Sequence, residues 1–186
     1  MWLRKLKAPK HPPLHTRIYK AFSMNFWTIL LILSAFSCTL VTGFLLTFAI
    51  VVMPGLSKLN DKEFVRAFQV TDGMIQSNQP LFILIWLGSI ISVLGVIICA
   101  IVSVGLSDTW IIIVVGTIYL LGVQGITISI HLPLNKRIQK LEIDNISPQM
   151  LGEERDSFEA KWNFFNKIRA VISFFVSLSL LINLPM

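Results

Sequence analysis

His131 and Arg169 are the side chains of this sequence best suited to proton transfer or anion binding beside a membrane. His131 closes a long apolar run in the stretch ITISIHLPLNKRI, residues 126–138. Imidazole has the unperturbed pKa nearest neutrality, which suits a general base. Thr117, Gln124 and His131 recur at intervals of seven, which drifts only about 20° per step on a regular 3.6-residue helix, and Thr127 lies near the same line. Downstream, Trp162, Asn166 and Arg169 follow the i, i+4, i+7 spacing of a second helical face. A guanidinium backed by an amide can hold an anion. Both faces lie toward the same end of their helices, so a base and an anion holder can meet there. The plain alternative for Gln124 and Thr127 is hydrogen bonding between helices. For His131 it is the polar end of a helix that Pro133 terminates.

Other chemistries are narrowed by what the apolar runs lack. No Asp or Glu lies in any of them, which excludes a paired-carboxylate acid/base site and a carboxylate-bridged metal within the membrane. His11 and His15 belong to a proline-broken arm, and one imidazole cannot hold zinc or copper. Counting alone leaves a haem with one axial histidine open. No cofactor is expected. Cys38 and Cys99 sit inside apolar runs without a CxxC pair, as small hydrophobes do.

The elements that must position these groups are membrane helices. The 186 residues are 54% hydrophobic and 14% charged, with a mean hydropathy of +0.73, against about 25% charged in soluble domains. A span needs about 20 apolar residues, and four segments come near or exceed this, at about 26–53, 81–104, 109–131 and 165–184. The predicted fold is all-α: an integral membrane four-helix bundle in one domain, residues 26–186. Asp108 is the expected cap of the third helix, and small residues such as Gly116, Gly122 and Gly125 would let helices approach. In the first long connection, Asn60 with Glu63 has the form of a helix start, and Phe64, Phe68 and Ile75 oppose Lys62 and Arg66. A short helix lying in the membrane interface is expected there. Ser147-Pro148, then Glu153 and Glu154, then Lys161, Lys167 and Arg169 match a helix dipole. That charge order predicts an extramembrane N-terminal extension, from about Leu151, continuous with helix four.

Residues 1–25 read as a disordered basic arm, with Arg4, Lys5, Lys7, Lys10, Arg17 and Lys20 broken by Pro9, Pro12 and Pro13. Such an arm suits anionic lipid headgroups and favours an N-terminus on the cytoplasmic side of a bacterial plasma membrane, against which the two long connections hold the other ten of the sixteen basic residues. The arm's few aromatic residues, Trp2, Tyr19 and Phe22, do not line a basic groove, and a membrane segment follows directly, so nucleic acid is not an expected partner.

Short motifs carry a further likeness: MPGL at 53–56, AFQ at 67–69, Pro80-Leu81-Phe82, Tyr119, T..IHLPLN at 127–135 and W..FNKIR at 162–169. Over roughly residues 30–184 the chain resembles the anthrone oxygenase-like family of small four-helix membrane proteins. The resemblance implies a multi-pass protein, some relatives of which oxidise polyketide anthrones to anthraquinones with molecular oxygen and no evident cofactor. It also implies a hydrophobic aromatic ligand and site positions at Gln69, Thr127, Pro133, Asn135, Trp162, Asn166 and Arg169. His131 stands where the family usually shows Asn, and Phe165 where it usually shows Trp. On this reading His131 is the base that forms the enolate, and Arg169 with Asn166 holds the anion. The competing reading is a non-enzymatic membrane module for a lipid, a quinone-like ligand or a partner subunit, with Arg169 at the headgroup.

Overall fold

Long apolar runs form helices because every backbone polar group in lipid must be satisfied within its own segment. In the computed structural model, which describes residues 14–184, α1 (Leu14–Thr47) runs through a π-helical turn, Phe48–Val52, into α2 (Met53–Leu56). There follow α3 (Asp61–Gln76), α4 (Pro80–Cys99), α5 (Leu106–Ile118), α6 (Leu132–Gln139) and α7 (Pro148–Ile182). The described residues contain no strand. Four stretches are long and apolar enough to span a membrane: Phe26–Leu56, Pro80–Ser103, Thr109–Gln139 and Pro148–Ile182. The chain is an all-α integral membrane protein.

Several expected boundaries move. Residues 14–25, assigned to an unstructured arm, are helical and continuous with the first span, while residues 1–13 lie outside the described residues. Gly105 precedes the third helix at φ 113°, a left-handed conformation that glycine adopts without steric cost. Asp108 is therefore already inside the first turn. Pro133 does not end its helix: Leu132 before it is helical, and α6 continues to Gln139. The preceding turn, Thr127–His131, is π-helical, with the Leu132 N–H bonded to the Thr127 carbonyl. A widened turn of this kind reassigns local carbonyls, which is how a helix passes a residue that has no N–H.

Two caps open helices outside the membrane. Asn60 accepts from the Glu63 N–H at 2.9 Å, and Ser147 from the Met150 N–H at 3.3 Å. The second cap starts the 35-residue α7 well before its apolar part, which solves the shortness of the fourth span.

α1 lies between α4 and α7, and α5 between the same two on the other side, so the spans follow one another around the bundle. Leu31, Leu45, Val96, Val123 and Leu180 fill its axis. Hydroxyls join neighbouring helices. Thr42 donates to the Cys38 carbonyl at 2.8 Å and accepts from Ser173 and Ser177 of α7 at 2.7 and 2.9 Å. Each such bond in lipid contributes about 0.6 kcal/mol.

Gly116 marks a close approach of spans two and three, since an added Cβ would lie 2.9 Å from Ile97 Cδ1 and 3.2 Å from Val93 Cγ1. Gly116→Leu is expected to lower stability by about 1–3 kcal/mol through overpacking. A Cβ at Gly88 meets nothing within 4 Å, so Gly88→Leu should not. Thermal unfolding of both variants in one detergent checks the contrast.

Outside the bundle, α3, the end of α6 and the start of α7 enclose a second core around Phe64, Phe68, Ile138, Leu151 and Phe158. The short helix expected in the first connection is α3, and its apolar face is covered by this core. Arg155 clamps the layer: it donates to the Leu59 carbonyl and to Asp61, each at 2.8 Å, with its guanidinium 4.5 Å from the Phe64 ring centre.

Candidate functional site

The third span departs from regular geometry where the polar residues are. Tyr119–Gly125 and Thr127–His131 are both π-helical. Each π turn inserts a residue and rotates everything downstream by about 100° relative to an unbroken helix. The line drawn through Thr117, Gln124 and His131 is broken as a result. Thr117 is exposed and bonds back to the Ile113 carbonyl at 2.7 Å, while Gln124 and His131 are buried. Gln124 donates to the Tyr119 hydroxyl at 3.0 Å, which donates to Ser89 of α4 at 2.8 Å. This chain ties span three to span two.

α7 is a regular α-helix here, and Trp162, Asn166 and Arg169 are all on its buried face. Arg169 donates through Nη1 to Thr127 Oγ1 at 2.8 Å and through Nη2 to Asn166 Oδ1 at 2.9 Å. Asn166 in turn donates to the Leu45 carbonyl of α1 at 3.2 Å. The guanidinium is thereby fixed between three spans.

Beside it lies a cavity of about 460 Å³. Its wall is mostly apolar, with the aromatic side chains Phe44, Phe48, Phe68, Phe82, Trp86 and Trp162, and five helices contribute to it. His131 meets Trp162 edge to face with ring centres 5.2 Å apart. Leu87, Ile128 and Leu132 form an exposed apolar lip, Ile128 at 64%, where the second and third spans part. In a bilayer that lip faces lipid.

At the other end of the cavity a carboxylate enters from outside the spans. Asp72 of α3 is 3% exposed. Its Oδ1 accepts from Asn135 Nδ2 at 2.7 Å, and its Oδ2 from Gln139 Nε2 at 3.1 Å and from the Gln76 amide. Asn135 Oδ1 accepts from the Trp162 indole N–H at 3.0 Å.

Against this polar frame, some buried atoms stay unpaired. Nε of Arg169 has no hydrogen-bond partner among the described residues, and the ring nitrogens of His131 have the Ile126 and Trp162 backbones beside them but no well-formed bond. An unsatisfied buried polar group costs about 1–3 kcal/mol, so three of them on one cavity wall suit a ligand that carries acceptors and a donor.

His131, Arg169, Thr127, Asn135 and Trp162 all line the cavity. The other expected positions do not. Asn166 stands behind Arg169, and Gln124 faces Tyr119. Gln69 donates to the Ile138 and Leu141 carbonyls at 2.8 and 3.0 Å, which fastens α3 beneath the end of the third span. The sequence reading missed Asp72 and the aromatic residues of α1 and α4. One signal for Asp72 was present: it stands four residues after Phe68 and eight after Phe64, an acid on the apolar face of α3. Among the described residues no three His, Cys, Asp or Glu side chains converge to hold a metal ion.

A family model described as anthrone oxygenase matches residues 77–179, more than half of the chain. The matched stretch includes His131, Asn135, Trp162 and Arg169 but not Asp72. No curated protein and no solved structure matches.

Proposed function

Because the chain belongs to the anthrone oxygenase family, we propose that its cavity binds a flat aromatic ketone of the anthrone type and oxidises it with molecular oxygen. The observation that supports this most is the group of His131 and Arg169 nitrogens that lack a well-formed hydrogen bond among the described residues, in a mostly apolar wall. An anthrone reacts with oxygen once a methylene proton is removed, and negative charge then develops on its carbonyl oxygen. Arg169 Nε–H and one His131 nitrogen are donors preorganised for that oxygen. The other His131 nitrogen can accept from a hydroxyl on a hydroxylated anthrone, because a neutral imidazole is a donor on one side and an acceptor on the other. Phe48, Phe82, Trp86 and Trp162 supply faces and edges for a tricyclic ring system.

The carbanion itself reduces oxygen, so the chemistry asks no electron carrier of the protein. One electron passes to oxygen, the radical pair joins at carbon, and a proton completes a hydroperoxide. Loss of water then leaves the second carbonyl. Anthrone and one oxygen molecule give anthraquinone and one water. The lip of Leu87, Ile128 and Leu132 lets an apolar substrate arrive from the bilayer.

Purified protein in mild detergent, given anthrone in air, is expected to consume oxygen and form anthraquinone in equal amounts. His131→Ala should lower the rate by about a hundredfold, the lower end of what loss of one oxyanion donor does. If His131→Ala and Arg169→Ala both match wild type, the reading fails. A module that only holds a quinone-like ligand or a lipid would retain it through purification and consume no oxygen, which mass spectrometry and an oxygen electrode separate.

A further inference from the structure

We propose that Asp72 is the base that removes the substrate's methylene proton, an inference that rests on the anthrone-type reading above. Judged by the spans alone, His131 is the one candidate base. The fold changes this by bringing a carboxylate from the first connection into the cavity wall, where Asp72 is the one acidic residue among those described.

Three features of its surroundings set Asp72 apart from a structural acid. It forms no salt bridge among the described residues, although it is 3% exposed. Its hydrogen-bond partners, Asn135, Gln139 and Gln76, are all neutral amides. All three donate, and an amide at position 72 would set its own NH2 against one of them, so the site is built to hold two acceptor oxygens whose charge no salt bridge offsets. Proton uptake by the carboxylate, moreover, removes a charge from the cavity and adds none.

The placement also suits the substrate. Arg169 is held at the level of Thr127 and Asp72 at the level of Asn135. Those levels are different heights of one cavity. The carbonyl oxygen and the acidic methylene of an anthrone lie on opposite edges of its central ring. An oxyanion holder and a base therefore belong on opposite sides of that ring, and Arg169 and Asp72 line the cavity from different heights. In the first step the C–H pair of electrons enters the enolate and the proton goes to an Asp72 oxygen. Asp72 returns that proton to the peroxide formed with oxygen, and water is lost as the second methylene hydrogen leaves. The carboxylate is regenerated.

Proton removal needs no oxygen, so it is testable alone. The full chain in detergent, kept anaerobic in heavy water with anthrone, is expected to speed deuterium uptake at the methylene. Asp72→Asn should lose that acceleration by about a hundredfold or more, while the folded protein, at a lowered melting temperature, still binds anthraquinone. Wild-type exchange by a folded Asp72→Asn protein overturns the assignment and leaves the oxygenase reading standing. A wild type that neither exchanges nor oxidises anthrone overturns both. If Asp72→Asn does not fold, Asp72→Glu decides: exchange reduced more than tenfold in a folded protein supports the base, and unchanged exchange refutes it.

Discussion

Replacing Arg169 by methionine is expected to slow anthrone oxidation by about two to three orders of magnitude, the usual effect of removing a preorganised oxyanion donor, and to leave the bundle assembled. Methionine fills a similar volume with a flexible apolar chain. The substitution also takes a buried cation out of the membrane interior, where charge is costly. What it leaves behind is small. Thr127 still donates to the Val123 carbonyl at 2.7 Å, so only Asn166 Oδ1 loses its donor, at a cost of about 1–3 kcal/mol. Arg169→Lys keeps the charge, but one ammonium cannot reproduce the fork that grips Thr127 and Asn166 together. Its rate should fall between the two. Anthraquinone formation followed by absorbance, beside thermal unfolding of each variant, reads both effects. A folded Arg169→Met protein with the wild-type rate would remove Arg169 from the chemistry.

Trp162→Ala should produce the largest loss of stability of any cavity-wall change. The indole joins the membrane bundle to the extramembrane core: its ring centre is 5.6 Å from Phe48, 5.9 Å from Phe68 and 5.2 Å from His131, and its N–H bonds Asn135. Truncation of a buried tryptophan costs about 3–5 kcal/mol. It also removes the surface against which His131 is held. Trp162→Phe keeps most of the packing and deletes the hydrogen bond, so about 1–3 kcal/mol is expected, mainly from the orphaned Asn135 oxygen. Both cysteines are buried, and thiol labelling of Cys38 and Cys99 during heating reports the unfolding midpoint. Equal losses for the two variants would mean that the Asn135 bond, rather than the ring contacts, holds the layers together.

Asn60 and Ser147 show how much of the fold was legible in advance. Each cap acts on an N–H three residues away; α3 began where Asn60 and Glu63 placed it, and α7 began at Pro148, three residues before the expected Leu151. The same locality explains why the continuous α7 was readable from the order of its charges, and why Trp162, Asn166 and Arg169 share a face. α7 is regular there, so spacing in sequence converts directly into angle.

Thr117 and Pro133 show where that conversion stops. Two π turns changed the phase of the third span and carried its helix past the proline, and no spacing rule based on 3.6 residues registers an inserted residue. Gln69 and Gln124 were expected at a ligand site and serve instead as ties to the Ile138 carbonyl and Tyr119. An amide side chain has the same donors whether it binds a ligand or a neighbouring backbone, so only its neighbours separate the two uses.

The sequence by itself determined the four spans, the extramembrane start of α7 and the pairing of His131 with Arg169 at one end of the bundle, because hydropathy, capping and helical spacing are local properties. Only the tertiary structure decided that Asp72 belongs to the same cavity. Its place there depends on α3 folding back beneath α6, through Asn135 and Gln139, more than sixty residues away along the chain. Contacts of that range are set by packing, which no local pattern encodes.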